Sequence, residues 1–236
     1  ASAIGPWVIS DTKPRAIAAT RVISNNAMAS FGLANPFITL IIGVAMLVSG
    51  GFQTACIDTL SKGDVSNASS LFSRAIIVGF LIGAVITAVC LPLSGTISTL
   101  CGAGPELHAD TQALLIGYLV GVVGLFSEMT LLNFITLEGD RNSAYIGTVI
   151  MAVVNISGNL LSVLVFNAGM LGIGLSTSIS YYVGIIPLAR HFLSGKTILR
   201  FRLKNLDWHG TFAALYAGLL GIIGKFSTVV FLFGIN

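Results

Sequence analysis

Apolar residues fall into six long runs, near 36–60, 71–93, 111–137, 143–166, 173–193 and 211–233, parted by polar loops. Each is close to the ~20 residues an α-helix needs to cross a bilayer. The runs are continuously apolar rather than alternating, which predicts helices and argues against a β-barrel. Two polar residues interrupt the fourth run, SAYIGTVIMAVVNISGNLLSVLVF: Asn155 and Asn159. Their i, i+4 spacing stacks them on one helix face. Thr148, Ala152, Asn155, Asn159 and Ser162 form a stripe of small and polar side chains. Val149, Val153, Ile156, Leu160 and Val163 form a branched apolar face suited to lipid. Polar groups at that depth are costly unless partnered or hydrated, so the asparagines serve as interhelical glue or line a substrate or ion pathway.

Other polar positions add candidates. Gly117, Gly121, Gly124 and Glu128 step by four, three and four along the third run. This puts a carboxyl on a small-residue face, where helices meet or a cavity opens. Such an acid is protonated, paired or hydrated, and acids inside membranes often carry protons or ions; the alternative is a glutamate at a helix end near the headgroups. Gly79 and Gly83 offer a close helix contact. In the fifth run Thr177, Tyr181 and Gly184 share a face, and Pro187 predicts a kink. Gln53 marks the polar end of the first run, and Lys225 in the last snorkels or pairs. Residues 1–30 carry Lys13, Pro14, Arg15 and Arg21 and predict no span; Ser24-Asn25-Asn26 suggests a helix cap, with the helix starting near Ala27.

Composition sharpens the class. Of 236 residues, 55% are hydrophobic and only 9% charged, and mean hydropathy is +0.93. Soluble domains carry about 25% charged residues. The chain is therefore read as all-α: a polytopic transmembrane helical bundle of about six spans. The net charge of +3 matters through its placement. Lys62 and Arg74, then Arg141, then Arg190 to Lys204 fall on one side by alternation, and the intervening loops have neither lysine nor arginine. That side is predicted to be cytoplasmic, in a multi-pass protein of the plasma (inner) membrane. Lys13, Arg15 and Arg21 conflict with the alternation, which suggests that a preceding helix is missing or is formed poorly by these residues. Cys56, Cys90 and Cys101 lack metal spacing, and His108, His191 and His209 are scattered at loops and helix ends, read as solvated or interfacial. No metal-spaced His/Asp/Glu cluster, GxSxG or phosphate-cradling loop points to an enzyme, and no catalytic residue or cofactor is expected. The basic residues fit membrane topology, so no nucleic-acid partner is expected.

Several stretches together resemble the multidrug and toxic compound extrusion (MATE) transporters, within the wider multidrug/oligosaccharidyl-lipid/polysaccharide exporter superfamily. They are AMASFGLANPFITLIIGVAMLVSGGFQTA with the SKGD that follows, LEGDRNSAYIGTVIMAVVNISGNLL, GMLGIGLSTSIS and LRFRLKNLDWHG. The resemblance covers roughly residues 23–210 and rests on order, spacing and loop charge rather than on one motif. It implies a fold of two six-helix lobes around a central cavity that opens alternately to each side, with the helices here the second to seventh. Many members carry an aspartate for cation coupling on the first helix. Asp11 does not match its spacing, and the matching position falls near Ala16. Asn155 and Asn159 match positions that line the first-lobe cavity and help to bind protons or sodium, and Thr177 matches a cavity position on the sixth helix. Glu128 and Lys225 have no match in the pattern.

The organisation expected from pattern and resemblance together is as follows. Residues 1–30 are an irregular remnant of the first helix, and 31–193 form the transmembrane first-lobe bundle. Residues 194–210 are a basic cytoplasmic linker, and 211–236 are the truncated first helix of a second lobe. The expected activity is export of organic, often cationic, compounds by antiport of Na+ or H+. Asn155, Asn159, Glu128, Thr177, Tyr181 and Gln53 form the expected substrate or ion pathway, with transient Na+ near the two asparagines. The expected partners are the lipid bilayer, a small organic substrate, and the rest of a second lobe or a second copy. Two rival readings are a lipid-linked sugar flippase of the same superfamily and a non-transporting, degenerate half-transporter. The first would want a basic cavity for pyrophosphate, and these spans supply almost no inward arginine or lysine apart from Lys225.

Overall fold

The structure, a computed structural model, describes residues 12–194, 197–201 and 210–219, with side chains from residue 26 onward. All described secondary structure is helical. α1 (Thr12–Ser61) is one helix of 50 residues, with Pro36 inside it. The sequence pattern starts this helix near Ala27, but the backbone is already helical from Thr12. Lysine and arginine interrupt hydrophobicity without interrupting a helix, because both are good helix formers. Pro14 falls in the first turn, where its missing N–H has no intrahelical partner to lose. The irregular segment expected over 1–30 is thus helical from 12 on, and residues 1–11 with Asp11 lie outside the described residues.

α2 (Val65–Cys90) begins earlier than the apolar run because Asp64 caps it, accepting from Asn67 N at 3.0 Å. The connection after it, read as a Gly/Ser/Thr-rich loop, holds α3 (Ser94–Leu100) and the start of α4 (Pro105–Leu119). α5 (Val122–Leu137), α6 (Arg141–Leu164) and α7 (Gly169–Leu193) follow, then a helix α8 described over 211–219. Among the described residues, four helices are long and apolar enough to cross a membrane: Asn26–Ser61, α2, α6 and α7. The third run is two helices, His108–Leu119 and Val122–Leu137, bent by 48° and countable as one broken span. The sixth expected span is described only to residue 219, so Lys225 lies outside.

α7 packs on α4, α5 and α6, while α1 and α2 close the other side of α5. Phe72 anchors that second contact, 5.0 Å from Phe134 and 4.5 Å from Phe192 between ring centroids. The glycine faces read from the sequence are contact faces. Gly79 and Gly83 meet α5 at Phe126 and Val123. Gly117, Gly121, Gly124 and Glu128 meet α7 in order, at Gly174, Ser178, Tyr181 and Gly184. On α6, Val149, Val153, Ile156, Leu160 and Val163 are all exposed, as a lipid-facing side requires.

The break between α4 and α5 has its own chemistry. Bending a helix frees carbonyls that find no water in a bilayer core. Here Ser178 Oγ donates to Gly117 O at 2.5 Å and Tyr118 O at 3.2 Å, Thr87 Oγ1 to Leu119 O at 3.0 Å, and Tyr182 Oη to Val120 O at 2.9 Å. We expect Ser178→Ala to cost about 1–2 kcal/mol, since it strands the Gly117 carbonyl, whereas Tyr118 O keeps Gly121 N at 2.9 Å. Thermal unfolding in detergent checks this; a melting point unchanged from the parent protein refutes it.

Candidate functional site

The asparagine pair lies on α6 opposite α7. Two terminal constraints set its register. Asp140 caps α6, accepting from Ser143 N at 3.1 Å and Ser143 Oγ at 2.6 Å. At the other end Ser162, Ser176 and Gly172 O are joined by hydrogen bonds of 2.7–3.1 Å. Between them Gly147 seats Leu188 and Gly158 seats Ser176. The face that meets α7 is therefore Ala144, Gly147, Met151, Asn155, Gly158 and Ser162. The stripe read from the sequence is only partly this face: Asn155 and Asn159 are half-buried and Ser162 is buried, but Thr148 and Ala152 are exposed. Small size at Gly147 and Gly158 decides the register, where polarity suggests a neighbouring one.

Asn155 Nδ2 donates to Thr177 Oγ1 at 3.1 Å and Ser180 Oγ at 3.4 Å. Asn159 Nδ2 donates to Asn155 Oδ1 at 3.0 Å. Thr177 and Ser180 turn their own hydroxyl hydrogens to α7 carbonyls, Ile173 O at 3.1 Å and Thr177 O at 2.7 Å. Every donor is thereby directed, and the chain of bonds ends at Asn159. Its Oδ1 is buried and accepts from no described residue. A stranded acceptor in low dielectric costs free energy until a cation or a donor reaches it.

The column continues along α7. Tyr181, one turn from Thr177, packs edge-on to Tyr118 with centroids 6.3 Å apart and covers Gly124. One turn further, Gly184 opens space beside Met151 and Glu128. Glu128 is 3% exposed and stands within α5 rather than at its end, unlike the helix-end glutamate of the alternative reading. The structure thus brings Asn155, Asn159, Thr177, Tyr181 and Glu128 to one seam between α5, α6 and α7. Gln53 is apart from them: its Nε2 donates to Asn133 O at 2.8 Å, and Asn133 Nδ2 donates to Ser49 Oγ at 2.9 Å, which ties α1 to α5. Among the described residues no group of three or more His, Cys, Asp or Glu could hold a metal ion.

Sequence reasoning passes over Ser176, Ser178 and Ser180, since serine in a Gly/Ser-rich helix gives no periodic signal. It also passes over the role of His191, whose Nε2 lies 2.7 Å from Glu138 Oε2 and whose Nδ1 lies 2.9 Å from Asp140 Oδ2.

A family model described as MatE matches residues 16–161. The chain belongs to the MatE family. Solved structures carry the same fold. MATE in complex with MaD5 aligns with a TM-score of 0.80 at 20% identity, covering 90% of this chain and 49% of that one. An inward-facing multidrug resistance MATE family transporter of the MOP superfamily aligns at 0.76 and 20% identity, covering 82% and 45%. An outward-facing one aligns at 0.76 and 18%, covering 92% and 51%. At such identities the likeness establishes the fold alone, and the chain spans about half the length of these MATE proteins. No curated protein matches it in sequence. The chain is a multi-pass membrane protein whose helices have the MATE transporter fold.

Proposed function

We propose that these helices are the first lobe of a secondary transporter that exports organic, often cationic, compounds by alternating access, coupled to inward flow of Na+ or H+. The reading sets the protein in the plasma membrane, with the loops at Lys62, Arg141 and Arg190–Lys204 cytoplasmic. It makes residues 194–210 the link to a second lobe that begins at 211. What carries the proposal is the seam between α6 and α7, where a directed chain of hydrogen bonds ends on the buried, unpartnered Oδ1 of Asn159. An asparagine pair used only as glue would satisfy its own acceptors across the interface. An exposed-then-occluded acceptor instead gives a ligand different free energies in the two access states, which is what drives their exchange.

The test is Asn155→Leu in the native full-length protein. We expect unchanged amounts in the membrane and at least about tenfold less efflux, because the substitution removes both bonds to α7 and leaves Asn159 Nδ2 without its acceptor. Unchanged drug resistance and transport in cells expressing this variant would sink the assignment.

A further inference from the structure

Resting on that reading, we infer that the Glu128 carboxyl is the group that takes up and gives up the coupling proton, on a helix separate from the asparagine pair. Its depth in the bundle sets it apart. At about 1.5 Å rise per residue, Glu128 lies ~14 Å from the Leu137 end of α5, and its neighbour Gly184 lies ~14 Å from the Leu193 end of α7. By the same rise Asn155 lies ~21 Å from the Arg141 end of α6 and Thr177 ~24 Å from the Leu193 end, with Tyr181 between at ~18 Å. His191 bonds to Glu138 and Asp140, so these three helix ends meet at one level. Glu128 therefore sits one to two turns closer to the basic side than the asparagines, in the same seam.

The surroundings of the carboxyl are apolar or neutral. Glu128 is buried, and it has no hydrogen bond or ion pair with any described residue. Gly184 leaves it room, and a Cβ there would touch Glu128 Cγ at 3.7 Å and Met151 Cβ at 3.2 Å. The titratable groups on the packed elements are otherwise engaged or distant. On α7 they are the phenols of Tyr181 and Tyr182 with Arg190 and His191 in its last turn, and on α4 the phenol of Tyr118, whose ring faces Tyr181, with Glu106, His108 and Asp110 near its start. On α2, Arg74 points to the start of α8, with Nη1 3.5 Å from Thr211 Oγ1. On α1, Cys56 Sγ faces Ala68 O, and Asp58 pairs with Lys62 outside the span. On α6 they are the exposed Arg141 and Tyr145, with Asp140 at its cap held by Ser143 and His191. With no cation facing it among these, the carboxyl is uncharged at rest in low dielectric, as a carboxylic acid.

The asparagine site, by contrast, lacks what an alkali ion needs. One free carbonyl oxygen, Asn159 Oδ1, cannot replace the hydration shell of such an ion. It can accept from, or attract, a cationic substrate. The exchange then balances simply. An O–H bond forms at Glu128 when the seam opens to the outside, and breaks when a cation enters near the column and water reaches the carboxyl. The proton leaves to the cytoplasmic side while the carboxylate and the cation neutralise each other. Proton and cation thus compete for one column.

The experiment uses the full-length protein in liposomes with tetraphenylphosphonium as probe, and compares Glu128→Gln with Asn155→Leu. Two readouts are taken: the carboxylic-acid carbonyl band in pH-difference infrared spectra, and transport driven by a pH gradient against tetraphenylphosphonium self-exchange. We expect Glu128→Gln to delete the titrating band and reduce gradient-driven transport at least about 100-fold, with a far smaller loss of self-exchange. Asn155→Leu keeps the band and loses both transport modes. A band that persists in Glu128→Gln, or uphill transport that persists in it, overturns the inference. If the parent protein moves the probe in neither mode, the transporter reading fails for this cation, and the infrared band still decides whether Glu128 holds the proton.

Discussion

Gly174→Leu is expected to abolish accumulation of folded protein, and Gly174→Ala to lower stability by about 3 kcal/mol. At this crossing α7 and α4 touch backbone to backbone. A Cβ added at Gly174 would lie 2.5 Å from Leu114 O and 2.9 Å from Gly117 Cα, and one at Gly117 would lie 2.6 Å from Leu171 O. None of these atoms is the end of a flexible side chain, so relief requires moving a helix. That movement would also pull Ser178 off the Gly117 and Tyr118 carbonyls one turn along, which uncaps the break between α4 and α5. The costs therefore add at one interface rather than dispersing. Gly43→Ala is the control: nothing lies within 4 Å of a Cβ there, and alanine is the better helix former, so it should be neutral or slightly stabilising. Monodisperse yield and thermal unfolding decide the matter. A Gly174→Ala protein that melts with the Gly43→Ala control would show that the crossing is looser than its geometry.

Much of this arrangement is legible in the sequence, and the exceptions have physical causes. Asn155 and Asn159 stand out because polar side chains are rare in an apolar run and must find partners. The step of Gly117, Gly121, Gly124 and Glu128 is legible because close packing in a membrane selects small residues. Its mate on α7 is harder to see, because Gly174, Ser178, Tyr181 and Gly184 mix small and large. The break at Val120–Gly121 leaves no signal of its own: no proline marks it, and its glycine reads equally as a packing residue. The bonds from Thr87, Ser178 and Tyr182 that make the break tolerable are long-range, so they belong to the fold and not to the segment. The extra length of α1 is hidden because Lys13, Arg15 and Arg21 read as a boundary; charge limits depth in a bilayer, whereas helicity depends on backbone propensity and hydrogen bonding. The α6 register follows the small size of Gly147 and Gly158, a weaker signal in the sequence than the polar stripe beside them.

Long-range pairing likewise hides the cluster at the basic end, where the second large effect is expected. His191 reads from the sequence as a solvated histidine at a helix end. In the fold it is bridged by two carboxylates, and its side chain is 14% exposed against 6% for Glu138. Carboxylate oxygens only accept, so the ring nitrogen that faces Glu138 donates. Glu138 also holds the chain beyond α7, because its Oε1 accepts from Leu199 N at 2.7 Å and so fastens residues 197–201 to the ends of α5 and α7. Ser69 Oγ adds a bond from Arg200 N at 3.3 Å. Asp140 contributes from the exposed side; its carboxyl is held below the usual range mainly by the Ser143 hydroxyl and backbone N–H, with His191 adding to them. A depressed carboxyl contributes stability above its unfolded value and loses it as pH falls through the folded one, so acid loosens this corner of the cluster. Glu138→Ala removes the acceptor of both His191 Nε2 and Leu199 N, a class of change that costs about 1–3 kcal/mol. We expect the Leu199 amide to exchange with solvent at least about 100-fold faster in that variant, and Asp140→Ala to change it far less because the Leu199 bond survives. Hydrogen exchange on the intact protein measures both. Equal protection of Leu199 in parent and Glu138→Ala would show that the segment is held by its other contacts, Ser69 first among them.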